Sequence, residues 1–161
     1  MGRRIVRIIA WGNRGRRDDG VALALAERLE YQLAEHPEII VQQYHQLGPE
    51  LVYDLNDCDL AIFIDANTCE DRQDVTLDIL EPASTPSLNT HHCRPAELLA
   101  LAAALELRLP EALQVCVRAY DLSFGDELSP RTRKAMVVAE ELVLSLVQAH
   151  TVDSGEVVCD A

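Results

Sequence analysis

Residues 59–66, Asp-Leu-Ala-Ile-Phe-Ile-Asp-Ala, form an almost unbroken apolar run with an acid near its end. A strand that is apolar on both sides must be covered on both faces, which is the situation of a central strand in a parallel sheet. Such sheets need crossover helices, and the rest of the chain supplies them. Strand character recurs at 4–11 (RIVRIIAW), 38–44 (EIIVQQY) and 112–120 (ALQVCVRAY), while 74–80 (DVTLDIL) alternates apolar and polar residues as an exposed or edge strand does. Between them, Ala22, Leu25, Leu29 and Leu33 recur at helical spacing, Pro49 opens a helix to about Asn56, and helices are expected over 95–107 and 131–150. The expected fold is α/β: a three-layer α/β/α sandwich around a mainly parallel, twisted sheet of five strands.

A length of 161 residues with 48% hydrophobic content suffices for one core, so residues 1–150 are read as a single catalytic domain and 151–161 as a short, flexible, acidic tail. No apolar run approaches the roughly 20 residues needed to cross a bilayer, and the opening Met-Gly-Arg-Arg-Ile-Val-Arg-Ile-Ile is too brief for a signal peptide. A cytoplasmic protein is expected. Five cysteines without a C-x-x-C pair fit reduced thiols. A net charge of −13 disfavours nucleic acid and anionic membranes as partners. The basic residues are nevertheless uneven: Arg3, Arg4, Arg7, Arg14, Arg16 and Arg17 crowd the amino-terminal end.

In parallel sheets functional groups gather beyond the carboxyl ends of the strands, where the strand order switches. That rule selects the turn after the first strand, Asp65, and the loop before Pro95. The turn "GNRGRRDDG" (12–20) is not a dinucleotide loop, because Arg14 stands where the second glycine is needed, and it lacks the Lys-Ser or Lys-Thr of a phosphate loop. A phosphate-accepting receiver domain is disfavoured too, since the only lysine, Lys134, lies in the last helix. No H-E-x-x-H supports a zinc-peptidase helix.

Taken alone, Asp18 reads as a helix cap. Asp65 fits a turn role with Asn67 and Thr68 as well as a functional one, and a loop histidine such as His91 or His92 is usually a surface residue. Together, Asp19, Asp65 and His91 make an N/O donor set for a divalent transition metal with coordination positions left open.

Gly12-Asn13 followed by Asp18-Asp19-Gly20-Val21, the "FIDA" strand end and "HHCRPAELLALAAAL" closely resemble the hydrogenase maturation endopeptidases, over nearly the whole chain to about His150. "HQLGPELVYDLNDCDLAIFIDA" and "LSFGDELSP" look like the branch serving soluble, bidirectional-type hydrogenases. The resemblance implies a nickel-dependent endopeptidase that removes the C-terminal extension of a [NiFe] hydrogenase large-subunit precursor after nickel insertion. The nickel would be the substrate's own, used for recognition, with no organic cofactor. Asp19, Asp65 and His91 match the metal-contacting, catalytic positions; His91 is favoured over His92 because it lies four residues before Pro95. Asn13, Asp18, Gly20 and His92 flank them and are assigned to substrate contact. A monomer acting on the precursor is expected. The alternative is a non-catalytic metal-sensing or chaperone module that binds the precursor. Relatives usually carry Pro-Leu after Gly-Asn and Gly before the acidic pair, where this chain has Arg14, Gly15, Arg16 and Arg17. Gly15 and Gly20 are the residues expected to supply positive backbone dihedrals there.

Overall fold

The five expected strands pair in the order β2-β1-β3-β5-β4. They are β1 (Val6–Trp11), β2 (Ile39–Tyr44), β3 (Leu60–Asn67), β4 (Val75–Ile79) and β5 (Glu111–Arg118). In this computed structural model, which describes residues 2–85 and 93–152, all pairings are parallel except the antiparallel edge strand β4 against β5. The helices are α1 (Val21–Gln32), α2 (Val52–Asn56, entered through a 3₁₀ turn at Pro49–Leu51), α3 (Pro95–Ala104) and α4 (Pro130–Val152).

Strand alternation divides the core into two layers. Ile8, Ile62, Ile64, Val115 and Val117 pack against α1 and α4, where Leu25, Leu29, Ala139 and Val143 are buried. Their neighbours Ile9, Ala61, Phe63 and Ala112 face the other way, onto Leu51, Leu55, Leu98 and Leu99 beside α2 and α3. The apolar run 59–66 is therefore covered twice, as its composition requires. Arg28 and Gln32 of α1 both donate to the buried Glu140 of α4, which ties the two helices of one layer together.

Three boundaries differ from expectation. β3 does not stop at Asp65 but pairs with β5 as far as Asn67, so Asp65 sits within the ladder opposite Cys116. α3 ends at Ala104 and not at 107, because Glu106 turns left-handed (φ 57) and Leu107 folds back onto the core. α4 runs on to Val152, through the start of the segment read as a tail; the remainder of that tail and the loop 86–92 lie outside the described residues. Cys58, Cys69 and Cys116 are unbridged thiols. Among the described residues no helix is long and apolar enough to cross a membrane.

Phe63 is fully buried and meets Trp11 edge-on, with ring centroids 6.3 Å apart. Phe63→Ala is expected to cost about 3–5 kcal/mol, read as a lower urea midpoint at unchanged slope.

Candidate active site

Strand order reverses between β1 and β3, and the turn leaving β1 folds back over that crevice. Gly12 has φ +155, and a Cβ there would lie 2.1 Å from the carbonyl oxygen of Asp19, so the chain can double back only at glycine. Asn13 organises the turn. Its side-chain oxygen accepts the Gly15 amide at 2.9 Å, its carbonyl accepts the Arg16 amide at 3.2 Å, and its own amide donates to Asp19 Oδ2 at 3.1 Å. The positive dihedrals expected at Gly15 and Gly20 fall instead on Gly12 and Arg17 (φ 45). Arg17 adopts a left-handed conformation costing on the order of 1 kcal/mol, held by its amide bond to Gly125 O at 2.9 Å. Gly20, with φ −87, is needed for space: a Cβ would come 3.0 Å from the Cα of Arg14.

Beyond Arg17 the two acids diverge. Asp18 is fully buried and does not cap α1, whose N-cap is Gly20 with no side-chain bond. Its carboxylate instead accepts the amides of Tyr120 (2.8 Å), Asp121 (2.8 Å) and Ser129 (2.7 Å) and the hydroxyls of Ser129 (2.7 Å) and Thr132 (2.9 Å). It thus anchors Ser129, whose hydroxyl caps α4, the last helix, by accepting the Thr132 amide at 3.4 Å, and it staples the 120–129 loop to the turn. The expectation of a local cap and a substrate contact is corrected by this burial. Burial alone pushes the Asp18 carboxyl up, but the Ser129 hydroxyl and the Ser129, Tyr120 and Asp121 amides outweigh it and hold its pKa below 3.8.

Asp19, half-buried, faces the other way, into a cleft of about 700 Å³. Asp65 lines the same cleft from β3. Alternation puts it on the same side as Phe63, toward α3, whose first residues Pro95, Ala96 and Glu97 form part of the opposite wall. Burial pushes the Asp65 carboxyl up to about 7, against the lowering effect of the Ala66 amide, and the Asp19 charge adds to the rise. The two carboxylates offer oxygen ligands to a cation, which would offset the effect of the Asp19 charge on Asp65.

Of the residues selected from sequence, Asn13, Asp19 and Asp65 line the cleft. Asp18 and Gly20 are buried beneath it. His91 and His92 lie outside the described residues, and among the described residues no group of three His, Cys, Asp or Glu is placed to hold an ion. Sequence reasoning passed over His45, Arg94 and Gln114 as cleft residues; it singled out Arg16 with its neighbours Arg14 and Arg17 but did not separate the three. His45 was within reach of the strand-end rule, since it directly follows β2 on the same edge of the sheet.

No family model and no curated protein matches the sequence. Solved structures do. The hydrogenase maturating endopeptidase HybD from E. coli superposes with a TM-score of 0.70 at 21% identity, over 91% of this chain and 93% of that one. The [NiFe] hydrogenase maturation protease HycI from Thermococcus kodakarensis KOD1 gives 0.66 at 18% identity, over 91% and 94%. A hydrogenase 2 maturation peptidase from a Thaumarchaeota archaeon gives 0.65 at 21%, over 89% and 98%. The chain has the fold these proteins share, over about nine-tenths of its length.

Two stability measurements test the acids. Asp18→Asn replaces an acceptor of five bonds by a group that must turn an N–H toward donors, and is expected to cost about 2–4 kcal/mol. Because the folded pKa lies below the ordinary value, the wild-type contribution is present above pH 3.8 and is lost as pH falls through the folded value. The variant should lack that acid-dependent loss in urea titrations. For Asp65 the sign is opposite: the folded protein holds a proton that the unfolded chain releases, so stability declines as pH rises from 3.8 toward about 7. Asp65→Asn is expected to stabilise the metal-free protein by about 1–2 kcal/mol above that range, discounted for partial exposure to water, and to change it little in acid.

Proposed function

We propose that the protein is an endopeptidase that removes the C-terminal extension of a [NiFe] hydrogenase large-subunit precursor after nickel insertion. The observation that carries this reading is the convergence of Asp19 and Asp65 in one cleft at the strand-order switch, in a chain that shares its fold with hydrogenase maturation proteases. The resemblance of "HHCRPAELLALAAAL" to the family adds His91 as the third ligand.

The nickel is the precursor's own, and its coordination explains the donor set. Two carboxylates and one imidazole leave positions for ligands that the precursor already supplies, so the cleft reads a loaded site without carrying a metal of its own. Asp65 has to give up its proton to act as a ligand. Its carboxyl titrates at about 7, so docking is favoured as pH rises through neutrality. Hydrolysis then joins a water oxygen to the scissile carbonyl carbon, breaks the C–N bond and leaves the proton on the departing amine. The residues serve two versions of that step: the ion polarises the carbonyl, or a cleft carboxylate takes the water's proton as general base.

The test is to incubate the protein with nickel-loaded and nickel-free precursor and weigh the products. Loss of a C-terminal peptide only from the loaded form is expected, and Asp19→Ala and Asp65→Ala should lower the rate by at least about 100-fold. A stable complex whose precursor mass never changes would mean a binding module and overturn the endopeptidase reading. Equal cleavage by the two variants would overturn the assigned roles.

A further inference from the structure

The arginines of the opening turn are three in sequence but only one in the cleft. Arg14 is compensated: its guanidinium lies 2.7 Å from Glu27 and 2.6 Å from the side-chain oxygen of Gln43. Arg17 turns away from the cleft, with Nε 3.7 Å from Asp121 and packed under Gly125. Arg16 alone of the three lines the cleft that holds Asp19 and Asp65.

Its guanidinium is held without being neutralised. Nε donates to the carbonyl oxygen of Leu122 at 3.1 Å, and the guanidinium carbon stands 5.8 Å from the centre of the Phe124 ring. Phe124 is 87% exposed, an uncommon position for a phenylalanine, and here it is a platform for the cation. The backbone beneath is fixed by the Gly15, Arg17 and Gly125 bonds and the Arg16–Gly125 bridge. Among the described residues no carboxylate lies within ion-pair distance of Arg16, and none of them is bonded to its two terminal amino groups. Across the cleft, Arg94 already has Glu97 at 3.9 Å.

From this geometry we infer that Arg16 is a carboxylate receptor of the cleft, which binds an acidic group of the extension being removed. The inference rests on the endopeptidase reading above. The chemistry favours a carboxylate because a guanidinium fork matches its two oxygens, and because fixing Arg16 beforehand reduces the ordering that binding would otherwise require. It also implies register. The protein carries −13 overall, and Asp19, Asp65 and Glu97 share the cleft, so an acidic group of a bound peptide is disfavoured beside those acids and favoured beside Arg16. One carboxylate on the extension would then fix which peptide bond lies over Asp19 and Asp65. Two sources supply that group, an acidic side chain or the terminal carboxylate of the extension.

The experiment uses nickel-loaded precursor in three forms: with its natural extension, with the acidic side chains of the extension changed to amides, and with the chain terminus amidated by semisynthesis. On the natural form, Arg16→Gln is expected to raise KM about tenfold with kcat held within about twofold. Arg16→Lys, which keeps the charge and loses the fork, should raise it about threefold, and Arg4→Gln, at the far end of the sheet, not at all. On whichever altered precursor lacks the recognised carboxylate, wild type and Arg16→Gln should have equal KM, and this identifies the source. Equal KM on the natural form, or an Arg16→Gln effect that persists on both altered forms, overturns the inference. If the wild-type protein leaves every precursor intact, the endopeptidase reading fails. Calorimetric affinities of wild type and Arg16→Gln for the same three precursors then decide the carboxylate question, with equal affinities overturning it.

Discussion

The buried carboxylate of Asp18 is the point at which the opening turn, the 120–129 loop and the last helix are fastened together. Five donors from β5's exit, the 120–129 loop and the first turn of α4 converge on it. A buried charge is tolerated only when its lone pairs are filled, and here they are. Because Asp18 points inward and is fixed, the next residue, Asp19, is turned outward into the cleft. The turn's remaining features serve the same end: Gly12 lets the chain double back, and Arg17 takes the left-handed step between the strand-side loop and the acids.

Legibility in the sequence followed the range of the forces involved. The double-sided core was written in 59–66, and the periodicities of α1 and α4 and the alternation of β4 were local signals that burial then satisfied. Helix ends were less legible, since α3 is stopped by a backbone reversal at Glu106 that nothing in its apolar pattern announces. In the site, Asp19 and Asp65 could be found because strand ends on one edge of a parallel sheet are brought together by topology alone. Asp18 was misjudged because its partners are far away in sequence, and the nearest available role, capping its own helix, was the only one that local reasoning could offer. Arg17 shows the same limit: a left-handed dihedral is held there by Gly125, a residue of another loop.

The cleft separates two uses of electrostatics. Asp65 shares a wall region with Asp19, where burial, and after it the Asp19 charge, raise its carboxyl to about 7, a rise that a cation would relieve. Arg16 stands apart from them on an aromatic support, with its charge unspent.

The bonds to Asp18 span 102 to 114 positions of sequence. Contacts of that separation close late, after the local helices and neighbouring strands have formed. On a ribosome the residues that orient the acidic turn emerge more than a hundred positions after it, so until then a nascent chain holds Asp19 but has no means of aiming it. The protein would gain a shaped cleft only once α4 has docked, and an incomplete chain would be unable to grip a peptide in it.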